Sequence, residues 1–178
     1  HEMFAVAGVA PDVYVMDNEC SAELKDAIKI ARTSYQLVTP YSHRRNQAER
    51  AIQTFKNHFK SGLATANPNF PLAEWDRLIP QQNITINLLR NSRSNPKLSA
   101  YAFMHGQFNF QATPLAPPGT KVVAYIDPKK RETWDLNGEV GYYVGPAMEH
   151  YRNVEIFFPR TRSTRICDTV TFFPHNIP

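Results

Sequence analysis

The stretch that decides the fold runs from Val13-Tyr14-Val15-Met16 into Asp17-Asn18-Glu19 and is answered downstream by Asn46-Gln47-Ala48-Glu49-Arg50. The first four residues are apolar or aromatic and stop at a polar cluster, which is how a short strand ends. Ser21 then has the chemistry of a helix N-cap, with Glu23 early and Lys25, Lys29 and Arg32 later, the order a helix dipole favours. Leu24, Ala27, Ile28 and Ala31 give that helix its apolar stripe. Gln36 to Thr39 reads as a second strand closed by Pro40, and the polar loop Tyr41-Ser42-His43-Arg44-Arg45 leads into a second helix beginning near Asn46. There Ala48, Ile52, Phe55, Phe59 and Leu63 share one face. Glu49, Gln53, Lys56 and Lys60 share another, roughly 80° round the axis. Glu49 thus stands in the first turn, at the border between core and solvent.

Downstream, Leu72 to Leu78 and Gln82 to Arg90 read as helical, Asn91 to Pro96 as a turn, and Leu98 to His105 as a short helix. Pro114, Pro117 and Pro118 make the segment before Gly119 an extended linker. Beyond it the period becomes two. Val122 to Ile126, Tyr142 to Val144, Val154 to Phe158 and Ile166 to Phe173 read as strands, with a hairpin connection over Pro159 to Thr164. Short strands at this density suggest a small barrel.

The chain has 178 residues, with 42% hydrophobic and 12% aromatic content, enough to bury a core. No apolar run reaches membrane-spanning length, and the start has no signal-peptide pattern, so no membrane partner is expected. Its 2 cysteines build neither a disulfide framework nor a four-ligand zinc site, which places the chain in a reducing compartment, nucleus or cytoplasm. The net charge is +4. All of that excess lies between Tyr41 and Leu63, where Arg44, Arg45, Arg50, Lys56 and Lys60 face one acid, Glu49. A basic segment in an otherwise neutral chain points to a polyanion, nucleic acid first, against the plainer reading of a solvated helix face.

Asp17 and Glu49 are separated by 31 residues. Two carboxylates on rigid elements can share divalent cations, which Mg²⁺ accepts alongside phosphate oxygens and water, and such a site suits phosphoryl transfer. On spacing alone, a strand-ending Asp and a helix-favouring Glu explain the pair equally well. His43 and His58 have no cysteine at zinc spacing, and Cys20 sits among acids that disfavour a thiolate. Arg160, Arg162 and Arg165 surround the hairpin tip, where solvated charge is the ordinary reading and nucleic-acid contact the sharper one.

Val15-Met16-Asp17-Asn18-Glu19, followed by Pro40-Tyr41-Ser42-His43-Arg44-Arg45-Asn46-Gln47-Ala48-Glu49-Arg50, resembles the second half of a copia-type LTR retrotransposon integrase core, of the D-D-E class with an RNase H-like fold. In that family the strand-end Asp and helix Glu are the second and third metal ligands, positions matched by Asp17 and Glu49. The likeness departs at Asn46-Gln47-Ala48-Glu49-Arg50, which lacks the family's glycine and one residue. It continues through Trp75, Asn87-Leu88-Leu89 and Leu98-Ser99-Ala100-Tyr101. Gly141-Tyr142-Tyr143-Val144-Gly145-Pro146 through Asp168-Thr169-Val170-Thr171-Phe172 resembles the SH3-like module that follows.

The resemblance implies an α/β plus all-β chain. Residues 1–105 would be the C-terminal part of an RNase H-like integrase core with a helical tail, 106–120 a Pro-rich linker, and 121–178 an SH3-like β-barrel. Asp17 and Glu49 would be catalytic and bind Mg²⁺ (or Mn²⁺). His43, Arg44, Arg45, Asn46, Arg50, Lys56 and Lys60 would hold DNA, both element ends and target, in a homo-oligomer with full-length integrase. The family's first Asp lies on an earlier strand, and Asp12 cannot replace it, being roughly 16 Å from Asp17 along an extended strand. The expectation is a polyprotein fragment, inactive alone, whose parent inserts DNA by metal-assisted strand transfer. A non-catalytic DNA-binding or assembly module derived from such an element is the alternative; an unrelated α/β domain with a structural acid pair is a third.

Overall fold

The computed structural model describes residues 12–16, 19–38 and 47–174, and the chain divides into two compact units, His1–Lys56 and Asn57–Pro178. In the first unit, β1 (Val13–Met16), α1 (Ala22–Ile30) and β2 (Ser34–Leu37) form a strand–helix–strand unit. The strands pair in parallel, from Val13↔Ser34 to Met16↔Leu37, and the Val38 amide extends the ladder by donating to the Met16 carbonyl at 2.8 Å. Parallel neighbours need a crossover, which α1 supplies. As expected, the Ser21 hydroxyl caps this helix, accepting from the Leu24 amide at 3.3 Å.

The same helix ends in a double carbonyl cap. The Thr33 amide donates to Ile28 O and the Arg32 amide to Lys29 O, with Arg32 in the left-handed region at φ 55°. That tight reversal starts β2 at Ser34, two residues before the Gln36 expected from the sequence, and ends it at Leu37.

A helix, α2 (Gln47–Ala64), carries the chain across the division between the units. In the second unit, a 3₁₀ segment (Leu72–Leu78) runs into α3 (Ile79–Leu89), and α4 (Ala100–His105) follows. Pro80 sits in the first turn of α3, where its missing N–H has no intrahelical acceptor to lose. The remainder is β3 (Lys121–Tyr125), β4 (Gly138–Pro146), β5 (Val154–Phe158), β6 (Ser163–Cys167) and β7 (Val170–Phe173), an antiparallel sheet of order β6-β5-β4-β3-β7. Ile166 to Phe173, expected as one strand, is two: Asp168 and Thr169 separate β6 from β7 at opposite edges.

This connection dictates the sheet's shape. Laid flat, five strands would hold their outer members about 19 Å apart. Cys167 and Val170 are three Cα steps apart and reach at most about 11 Å. The sheet is therefore rolled until its edges approach at this corner, although β6 and β7 do not pair among the described residues. Inside the roll, Val122, Ala124, Tyr143, Val154, Ile156 and Phe158 form a buried core, with Ala116, Cys167 and Val170 packed on it.

The proline-rich stretch is part of this packing. Pro118 is buried, and the Gln81 side-chain amide donates to Ala116 O at 2.6 Å. Gly119 donates to Tyr143 O at 2.8 Å and accepts from the Asn67 amide at 3.1 Å, tying the helical segment to β4. It does so at φ +70°, and a Cβ there would lie 2.6 Å from that of Ala66. Only glycine suits both demands.

Two carboxylates lock the β5–β6 hairpin. Glu74 accepts from Arg77 at 2.7 Å and from Arg162 at 3.3 Å, while Glu139 accepts from Arg160 at 3.0 Å and from Arg165. Arg77 also donates to the Thr164 hydroxyl and lies over the Phe157 ring, and Arg165 stacks on Phe158. The Arg77 hydrogen bond, aided by Arg162, holds the Glu74 carboxyl below its usual range despite opposing desolvation. At Glu139, burial would raise the value, but the Arg165 and Arg160 hydrogen bonds together outweigh it and the net shift is down.

Two outcomes follow for stability. Gly119→Ala combines left-handed strain with overpacking and should cost about 2–4 kcal/mol, read as a lower urea midpoint with unchanged slope. The depressed carboxyls contribute stability above the unfolded carboxylate value of about 4.3, and lose it as pH falls through their lower folded values. Acid unfolding of Glu74→Gln/Glu139→Gln should therefore show a shallower pH dependence below about pH 4.5 than the unaltered chain.

Candidate metal and nucleic-acid site

The parallel register sets the site's frame. Met16 and Leu37 are partners at the carboxyl ends of β1 and β2, so the two described strands end at the same edge of the pair. In sequence, β1 is followed by Asp17, and β2 by the segment with His43, Arg44, Arg45 and Asn46 that precedes α2. Asp17 and His43 to Asn46 themselves lie outside the described residues. Carboxyl ends of parallel strands are where open α/β sheets place ligands.

Glu49 is in the first turn of α2 and half-buried, the border position its helical angle implies. Arg50, Lys56 and Lys60 on the same helix are exposed. The apolar face is buried unevenly: Phe59 is buried and packs edge-on against Trp75 at 5.7 Å, whereas Ile52 is 54% exposed. The stripe was legible as periodicity, but its depth depends on what each half of the helix faces.

The other candidates separate clearly. Arg160, Arg162 and Arg165, the hairpin arginines, are held by Glu74 and Glu139. They are neither simply solvated nor free for a ligand without exchanging partners. Their carboxylates were missed by the sequence reading because Arg162 and Glu74 are 88 positions apart and no local pattern links them. Cys20 and Cys167 are both free thiols among the described residues, and Cys167 is pushed up chiefly by burial, against any role as a nucleophile.

No group of three or more His, Cys, Asp and Glu able to hold a metal occurs among the described residues. Glu49 and Asp17 are both hard oxygen donors of the kind Mg²⁺ takes. No helix among the described residues is long and apolar enough to cross a membrane.

No family model matches this chain, and no curated protein matches it. Among solved structures it is similar to a chain in the cryoEM structure of a simian T-cell lymphotropic virus intasome in complex with the PP2A regulatory subunit B56 gamma. The identity is 16% and the TM-score 0.42, over 93% of this chain and 58% of that one. This chain thus spans less than two thirds of the length of the chain it matches.

Proposed function

We propose that this chain is the DNA-handling part of a copia-type retroelement integrase, with an RNase H-like first unit and an SH3-like rolled sheet. The observation that carries the reading is the Met16↔Leu37 register. β1 and β2 end side by side in a parallel strand–helix–strand unit; in sequence Asp17 follows β1 and the basic segment follows β2, ahead of Glu49 in the first turn of the next helix. In this reading Asp17 and Glu49 hold Mg²⁺ or Mn²⁺. Bound there, the ion supplies charge stabilisation for in-line displacement at a phosphodiester. His43, Arg44, Arg45, Asn46, Arg50, Lys56 and Lys60 position the phosphates of element and target DNA, which fixes register without reading sequence. The sheet's last strand returning to pair with its first supports the small-barrel assignment. The partners proposed are DNA and further copies of the full-length integrase, in the nucleus or cytoplasm.

Titration of this chain with a random-sequence duplex tests the binding half of the proposal. Affinity should fall steeply with salt, and replacing Arg44, Arg45, Lys56 and Lys60 with Ala should weaken it at least tenfold and lower the logarithmic salt slope by roughly three to four. Unchanged affinity returns the segment to a solvated face. In the full-length parent, Glu49→Gln should abolish metal-dependent joining of DNA ends while leaving duplex binding within about twofold. Normal joining by the Glu49→Gln parent would overturn the assignment of Glu49 as a metal ligand; DNA binding by this chain with no end joining by the unaltered parent would make the assembly-module alternative the correct one.

A further inference from the structure

In the second unit, the connection between β3 and β4, residues 126–137, holds two large apolar side chains in water: Trp134 is 97% exposed and Leu136 82%. Neither is carried on loose chain. The Ile126 amide donates to Asn137 O at 3.0 Å and closes the base of the connection. At its tip the Asp135 amide donates to Glu132 O at 3.1 Å, a β-turn with Thr133 and Trp134 at the corner. The Glu132 amide donates back to the Asp135 carboxylate at 2.9 Å. A doubly bonded turn therefore presents the indole.

The same connection walls an open depression of about 570 Å³ with Arg131 and Leu136, and the β5–β6 hairpin faces them with Arg160 and Arg165. Three arginines meet two acids there, Asp135 and Glu139. Asp135 is engaged in the turn, and Glu139 accepts from Arg160 at 3.0 Å and from Arg165. Each guanidinium has five N–H donors. Arg160, its side chain 78% exposed, commits only Nε to Glu139. Arg165, 49% exposed and lying over the Phe158 ring at 3.7 Å, commits one terminal nitrogen. The rest of both forks has no hydrogen-bond partner among the described residues. One carboxylate thus brings two cations together and orients them without neutralising both, which lowers the ordering cost of taking an anion.

We propose that this face of the rolled sheet binds a single strand of nucleic acid, with a phosphate on the Arg160 and Arg165 forks and an unpaired base stacked on Trp134. Guanidinium forks match phosphate oxygens in pairs, and a cationic groove bordered by an exposed aromatic ring holds single strands without reading their sequence. A duplex offers the same phosphates but keeps its bases stacked inside, so the indole favours the single strand. An acidic peptide would satisfy the arginines and leave Trp134 uncovered. The inference goes beyond the integrase reading, which assigns DNA to residues 43–60, and it needs neither Asp17 nor Glu49.

The test uses the full chain with Arg44, Arg45, Lys56 and Lys60 replaced by Ala, which removes the basic segment from the measurement. The probes are fluorescein-labelled oligo(dT), the oligo(dA)–oligo(dT) duplex of the same length, and poly-glutamate as competitor. Anisotropy should show oligo(dT) binding at least about tenfold more tightly than the duplex, with quenching of tryptophan emission. Trp134→Leu should weaken oligo(dT) binding about fivefold or more and remove the quenching, leaving the emission of Trp75, the other of the chain's 2 tryptophans. Arg160→Gln should weaken it by a similar factor and lower the logarithmic salt slope by about 0.7. Both side chains are exposed, so neither substitution disturbs the core. Absence of oligo(dT) binding, equal binding of the duplex, displacement by poly-glutamate at equal charge, or unchanged affinity and quenching in Trp134→Leu overturns the proposal. Any of these leaves the integrase reading standing, because that reading is tested by the duplex affinity lost on introducing the four alanines.

Discussion

The parallel pairing of β1 with β2 is the constraint on which the candidate chemistry depends. An antiparallel hairpin would send the two strand ends in opposite directions. Parallel pairing brings both carboxyl ends to one edge and obliges the chain to return through α1. The crossover is short because the helix is stopped sharply, by two backbone hydrogen bonds around Arg32 in a left-handed conformation. In sequence, β2 is followed by the basic segment and then by Glu49. The proposal that Asp17 and Glu49 are partners rests on the resemblance together with this strand direction.

In the second unit the corresponding constraint is the two-residue link between β6 and β7. A connector this short between opposite edges cannot coexist with a flat sheet, so rolling is a consequence of chain length. Once rolled, the sheet has an inside, filled by Tyr143, Ile156 and Phe158, and an outside to which the helical segment is attached. The attachment is specific: Gly119 bridges Asn67 and Tyr143 through the backbone, Tyr142 donates to Asn69 O, and Glu74 bridges Arg77 and Arg162. Arginines that would be read as a cationic tip are thereby committed in part to the protein's own carboxylates.

What could be read from the sequence divides along the range of the interactions. β1, the Ser21 cap, the course of α2 and β5 depend on neighbouring residues and were visible in periodicity and turn chemistry. The two-residue shift of β2 turns on Arg32 adopting a positive φ, which residue type does not announce. The break at Asp168-Thr169 was hidden because apolar residues lie on both sides of it. The packed state of the proline-rich stretch and the Glu74 and Glu139 partnerships are long-range and have no local signature. At the candidate site, Glu49 occupies the first turn as its helical angle required, while the pairing of its carboxylate with Asp17 rests on the proposal.

The most direct measurement of that pairing is Mn²⁺ binding to the intact chain, followed by electron paramagnetic resonance for the unaltered protein, Asp17→Asn, Glu49→Gln and the double variant. A shared site predicts that either single substitution removes most of the bound Mn²⁺ and that the double variant loses little more, because one ion depends on both oxygens. Retention of full Mn²⁺ binding in either single variant, or independent and additive losses, would contradict it.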